Sequence, residues 1–253
     1  MCIRDRCTIY AIDSSGDTIR TIKRKLKDGI NRISWSPNAK GVDFPRRVDP
    51  KEKTEPGGMP ILPGTYKMVF EYKGQKDSTM LKVELDPRVD HSQYDTPAKA
   101  AATKAFYSKV EKVTQAFDNL KAAKKSMKLH KEIIAVQDDT IKKEHMKLHK
   151  EIGGQLDSLM NLYLLPEAKK VEYRDDSHTL MSKVWTARRF LGTSTAGPTP
   201  NGQYAVDKAE KQAGEVIEGI NTFFDSDWKS YLEKIRALKL DIFKEFDRVE
   251  LDK

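Results

Sequence analysis

Cysteine is nearly absent. The chain has two, Cys2 and Cys7, so close together that a disulfide framework is excluded and redox compartment is left open. Long apolar runs are absent too: with no stretch of about 18 apolar residues, no segment reads as a membrane-spanning helix. Acidic residues are outnumbered, 38 Asp and Glu against 46 Lys and Arg, for a formal net charge of +8. A basic chain attracts nucleic acid and anionic surfaces. Here the lysines are scattered, the densest cluster is Lys23-Arg24-Lys25, and no aromatic ladder accompanies it. Nucleic-acid modules usually show a recognisable element, so nucleic acid is not the expected partner. A Gly-rich phosphate loop, a Gly-x-Ser-x-Gly elbow and a dinucleotide fingerprint are also missing, and no cofactor is implied.

What is present divides by period. With 253 residues, one large or two ordinary domains are expected. Residues 8–86 read as β structure. Thr8–Asp13 is a short β-rich run, closed by the turn cluster Asp13-Ser14-Ser15-Gly16-Asp17. Thr18–Ile22 alternates apolar and polar residues. Lys27-Asp28-Gly29 turns the chain into an expected strand at Ile30–Trp35. Ser36–Pro63 is rich in proline and reads as loop. Thr65–Tyr72 is a strong strand with Tyr66, Met68, Phe70 and Tyr72 on one face, and Thr79–Leu85 follows Lys73-Gly74-Gln75.

From about Thr96 the period becomes helical. Phe106, Val110, Val113, Phe117, Leu120 and Met127 form a coiled-coil-type seam. A second helix, from Asp138 or Asp139 to Leu165, carries Ile141, His145, Leu148, Ile152, Leu156, Leu159 and Tyr163. A third is expected over Asp176–Leu191, then a loop over 192–202. A fourth carries Val206, Ala209, Ala213, Val216, Ile220 and Phe223. A fifth, capped by Asp225-Ser226-Asp227, carries Trp228, Ile235, Leu238, Ile242 and Phe246. Burying all these seams calls for antiparallel packing. The expected class is therefore α+β: a small antiparallel β-sandwich over 7–90, then an antiparallel bundle of about five helices over 95–253, with a long hairpin at 96–165.

One heptapeptide occurs twice: Met127-Lys128-Leu129-His130-Lys131-Glu132-Ile133 returns as Met146–Ile152. On one continuous helix the copies would point different ways, and a solenoid needs at least three repeats. The echo reads as local duplication or chance.

Few residues suggest chemistry. His145 and His149 share a helix face at i, i+4, and His130 joins them if the first two helices are antiparallel. Zinc uses such pairs, but the Glu that follows the first His in metalloproteases is replaced by Met146. Buried and solvated histidines are the plainer reading, so no metal is expected, with His145 and His149 the weak candidates. Asp13, Gly16 and Asp17 fit a turn better than a calcium loop, which would need a longer ligand series ending in Glu. Cys7 has no readable activating partner. Asp138-Asp139 and Asp175-Asp176 read as helix caps, not paired catalytic acids. Trp35, Tyr66 and Phe70 are expected in the sandwich core. Trp185, Phe190, Phe223, Phe224 and Trp228 are expected in the bundle core, with a ligand or partner patch as the alternative.

"GINRISW" at 29–35, "GVDFP" at 41–45 and "PILPGTYKMVFEY" at 60–72 resemble the small Ig-like sandwich of the flagellar hook-capping type. The order of sandwich, "DPR" and long helices is similar to the C-terminal region of secreted bacterial sortilin-like, BNR-repeat proteins, in which a β-propeller precedes both parts. The resemblance covers most of the chain and is tighter over 8–90 than over 96–253. It implies an extracytoplasmic location and an upstream propeller as partner. It also implies a further strand before Thr8, so the sandwich reads as truncated. The opening Met1–Arg6 has no signal-peptide pattern. It reads as an adapter-like addition, expected to be loosely packed and unpaired, an expectation that extends to Cys7. Three functions follow: a non-catalytic accessory module, a stand-alone coiled-coil or chaperone-like binder, or part of a hydrolase whose active site lies in a propeller.

Overall fold

The protein is α+β. A computed structural model describes residues 6–51, 54–88, 90–91, 96–135, 139–166, 175–193 and 197–237. These pack as two compact units. One holds the described residues up to Thr114 together with Lys183–Glu210; the other holds Gln115–Ser182 and the residues from Lys211 onward.

In the first unit, β1 (Arg6–Ile12), β2 (Thr18–Lys25), β5 (Gly64–Tyr72) and β6 (Gln75–Val83) form an antiparallel sheet in the order β2-β1-β5-β6. Alternation along β1 puts Cys7, Ile9 and Ala11 on one face, where they join Ile22 and Met68 in a buried cluster. Burying a side chain such as Ile9 is worth about 1.5–3 kcal/mol. The hairpins are closed by local chemistry. The Asp13 carboxylate accepts the backbone N–H groups of Ser15 at 2.9 Å and Asp17 at 3.0 Å, which is turn chemistry. Between β5 and β6, Lys73 and Gly74 have φ of 50° and 83°, the two left-handed residues of a type I′ turn.

Several expectations are corrected here. Arg6 and Cys7 are neither loose nor unpaired: they pair with Lys25 and Arg24, and Cys7 is buried. The rest of the opening stretch, with Cys2 and Ile3, lies outside the described residues. Ile30–Trp35 is not a strand. The Asn31 side chain accepts the Lys27 N–H at 2.9 Å and donates to the carbonyls of Lys27 at 2.8 Å and Gly29 at 3.1 Å. A side chain that serves the local backbone in this way competes with strand pairing. Ile30 is fully solvent-exposed, yet Ile33 and Trp35 still pack on the buried cluster of the sheet. Tyr66 is buried as expected, but Phe70 is exposed and not part of the core.

The proline-rich segment is not wholly irregular. β3 (Asn38–Lys40) pairs with β4 (Gly57–Pro60). Glycine makes this possible. A Cβ on Gly41 would stand 2.5 Å from the Gly57 carbonyl oxygen, and one on Gly58 would stand 2.5 Å from that of Lys40. Next to β4, Glu55 accepts the Thr21 N–H at 2.8 Å and pairs with Arg20 at 3.5 Å. Arg20 also donates to the Pro56 carbonyl.

The helices are α1 (Thr96–Ile134), α2 (Asp139–Tyr163), α3 (Leu180–Thr193), α4 (Pro200–Phe223) and α5 (Lys229–Arg236). The whole expected α1 seam, from Phe106 to Met127, is buried. α3 starts later than expected. Thr179 Oγ1, not Asp175 or Asp176, accepts the Ser182 N–H at 3.3 Å, while Asp175 accepts the Ser177 N–H at 2.9 Å in the preceding turn. Asp225-Ser226-Asp227 is not a cap. It lies within a π-helical turn, Phe224–Trp228, that joins α4 to α5 with helical backbone at both ends. Ser226 instead donates to the Thr222 carbonyl at 2.6 Å. Asp138, Leu238, Ile242, Phe246 and the side chain of Ile141 lie outside the described residues.

Within the second unit, three contacts fix a hairpin. Phe117 packs against Tyr163 with tilted rings whose centroids are 5.0 Å apart, Lys124 pairs with Asp157, and Met127 approaches Gly153. As α1 rises through 117, 124 and 127, α2 falls through 163, 157 and 153, so the two helices are antiparallel.

Candidate functional site

The antiparallel hairpin brings the two heptapeptide copies together. His130 and His149 occupy the same place in each copy, and both meet the hydroxyl of Tyr231 on α5. Nδ1 of each histidine lies 3.3 Å from that oxygen. A phenol has one proton, so Tyr231 donates to one imidazole and accepts an N–H from the other, which fixes the two rings in different tautomers. Tyr231 is buried, and burial pushes its hydroxyl up to about 12. Burial holds both imidazoles below the ordinary histidine range. For His130 the His145 ring adds to this, and for His149 the Lys131 ammonium and then His130 do so. His145 is buried as a seam residue, whereas His149 is half-buried and bonded, not simply solvated. His130 Nε2 and His145 Nδ1 are buried without a hydrogen-bond partner. Among the described residues no group of three or more His, Cys, Asp or Glu is placed to hold a metal ion. The cluster works as a neutral hydrogen-bond bridge linking α1, α2 and α5.

The first unit contains a different kind of site. A cleft of about 460 Å³ is lined by Met59 and Pro60 of β4, Lys99 and Tyr107 of α1, and Trp185, Arg188 and Arg189 of α3, among others. Its position follows from local structure. Lys99 lies in the first turn of α1 and reaches the last turn of α3, donating to the Gly192 carbonyl at 2.9 Å. That carbonyl belongs to the negative end of the α3 dipole, where a cation is favoured. Partial burial pulls the Lys99 ammonium below the usual lysine range.

Arg188 is held by aromatics. Its guanidinium lies 5.3 Å from the Phe44 ring and 5.2 Å from the Trp185 ring, and its Nε donates to the Tyr107 hydroxyl at 3.5 Å. Phe44 stacks on Trp185 with centroids 4.4 Å apart. The stacked pair therefore offers Arg188 two aromatic contacts on one side. Thr114 Oγ1 donates to the Asp43 carbonyl at 2.8 Å and fixes the loop that carries Phe44. Trp185 was expected in a bundle core, but it is 44% exposed. Among the described residues no carboxylate lines this cleft. A second, more apolar cleft of about 370 Å³ shares Met59, Pro60 and Lys99 and extends past Ile61, Leu62 and Leu85.

Sequence reasoning found His130, His145 and His149 but missed Tyr231, the partner of His130 and His149. It missed the basic cleft altogether, because Phe44, Lys99, Tyr107 and Arg188 are far apart in the chain. The one local signal was the pair Arg188-Arg189 beside Trp185. Among the described residues no helix is long and apolar enough to cross a membrane. No family model matches the chain, and no curated protein or solved structure matches it.

Proposed function

We propose that this chain is a non-catalytic accessory module: an Ig-like β-sandwich followed by an antiparallel helical bundle, acting outside the cytoplasm. In this reading it orients or presents a larger domain, such as the β-propeller of the proteins it resembles, and contacts ligand or partner through the basic cleft. The composition of that cleft carries the reading. Its cations are tied to a helix-end carbonyl and to aromatic faces, and among the described residues its walls bring no carboxylate, histidine or thiol beside them. Such groups suit an anionic or aromatic partner. The packing of Ile33 and Trp35 over the sheet supports the sandwich, since a second layer is what closes such a core.

The test is turnover by the purified chain on panels of glycoside and peptide substrates. None is expected. Hydrolysis that disappears on replacing a single residue within 7–237 overturns the reading in favour of an enzyme.

A further inference from the structure

We propose that the cleft lined by Lys99, Arg188 and Arg189 binds a small organic oxyanion, a carboxylate or a phosphate ester, that carries a flat apolar group. The proposal rests on the reading of this cleft as a binding site. Three observations carry it.

The first is charge. A helix C-terminus presents about half a negative charge. Among the described residues three cations line the cleft around the end of α3 and no carboxylate does, so the charge they bring outweighs that of the helix end. The second is geometry. Arg188 spends its Nε on Tyr107 and lies against both rings of the stacked Phe44–Trp185 pair, which pre-orients the guanidinium. A planar fork held in this way matches the two oxygens of a carboxylate or phosphate. Lys99 adds a partly dehydrated ammonium to the same cleft. The third is shape. The cleft measures about 460 Å³, and Met59, Pro60, Tyr107, Trp185 and Leu191 give it apolar walls. That volume falls in the range of pockets for small molecules, which are mainly apolar with a few placed polar groups.

The experiment is calorimetric titration of the full chain with phenyl phosphate and with benzoate, read in parallel by tryptophan fluorescence. Benzyl alcohol and inorganic phosphate serve as the controls that remove the charge and the ring. Saturable binding of at least one aryl anion is expected, about tenfold or more tighter than either control. The better of the two anions identifies the ligand as carboxylate or phosphate. Lys99→Met and Arg189→Met are each expected to weaken binding about tenfold, the usual worth of a charge-assisted hydrogen bond. Arg189 is exposed and its one aromatic contact is its neighbour Phe190, so its replacement leaves the fold intact even if that of Lys99 does not. Equal binding of benzyl alcohol, no saturable binding of either anion, or unchanged affinity in both variants overturns the proposal. Release of phenol from phenyl phosphate, lost in Lys99→Met, supports the anion site and overturns the non-catalytic reading instead.

Discussion

Acidification is expected to weaken the second unit through His130 and His149. Both have folded-state pKa values below the ordinary 6.5. The unfolded chain therefore takes up protons first as pH falls. The stability these rings contribute is complete above about pH 6.5 and drains away as pH drops below it toward their folded values. The groups identified as acting on them do not reverse the sign. His145 and Lys131 add positive charge or the capacity for it, and Tyr231, at about 12, stays neutral throughout. One proton bound only by the unfolded chain costs about 1.4 kcal/mol per pH unit, so two histidines set a ceiling of about 2.7. Both rings are partly open to water, and screening is expected to reduce the slope to roughly 1 kcal/mol per unit. The assay is urea unfolding at steps from pH 7.5 to about pH 5, above the range where ordinary carboxylates titrate. Trp228 is the reporter, since its ring lies 5.4 Å from that of Tyr231. Trp35→Phe and Trp185→Phe leave it as the sole tryptophan. Replacing both histidines by Gln should flatten the profile. An identical slope in the double variant would refute the reasoning.

Tyr231→Phe removes the bridge and strands two imidazole nitrogens, so a loss of about 1–3 kcal/mol is expected by denaturant titration at pH 7.5. Tyr163→Phe should act in the opposite sense. Its hydroxyl is fully buried with no hydrogen-bond partner, and deleting it is expected to stabilise the unit by roughly 1 kcal/mol, read as a raised Tm. Gly58→Ala places a methyl 2.5 Å from the Lys40 carbonyl oxygen. It should cost about 1–3 kcal/mol and release protection of β3 and β4 in hydrogen exchange. Asp157→Asn removes an ion pair whose side chains are about half exposed, and it should change stability by less than about 1 kcal/mol in urea.

Where one local pattern dominated, the sequence was legible. β1, β2, β5 and the α1 seam combine period, propensity and turn chemistry that agree with one another, and each stands where the pattern puts it. Ile30–Trp35 misled because Ile30, Ile33 and Trp35 look like strand residues, while Asn31 turns its side chain back onto the Lys27 and Gly29 backbone and closes a local loop. The two inward residues still reach the sheet from an irregular backbone, so burial was read correctly and conformation was not. Asp175, Asp176 and Asp225 misled in the same way: a residue type suited to a cap stood near a helix end, but Thr179 held the position in one case and the helix ran on in the other. β3 and β4 were invisible because their pairing depends on two glycines, Gly41 and Gly58, that let backbones approach, and not on a run of β-forming side chains.

The duplicated heptapeptide shows how a sound periodicity argument fails when its premise changes. Nineteen residues along one helix turn the second copy about 100° away from the first. The chain does not keep one helix: α1 ends at Ile134 and α2 begins at Asp139. Once the chain folds back, the relevant symmetry is a local two-fold across the hairpin. Positions whose numbers add to about 280 then face each other, as Phe117 with Tyr163 and Lys124 with Asp157 do. The two histidines add to 279, so equivalence within the repeat and opposition across the hairpin coincide at that pair. Met127 and Ile152 add to the same number and are both buried. A duplicated segment of this kind gives a hairpin matched apolar positions on both arms and one shared polar pair, which Tyr231 then bridges. A helix break between the copies is what turns a repeat with no common face into a site.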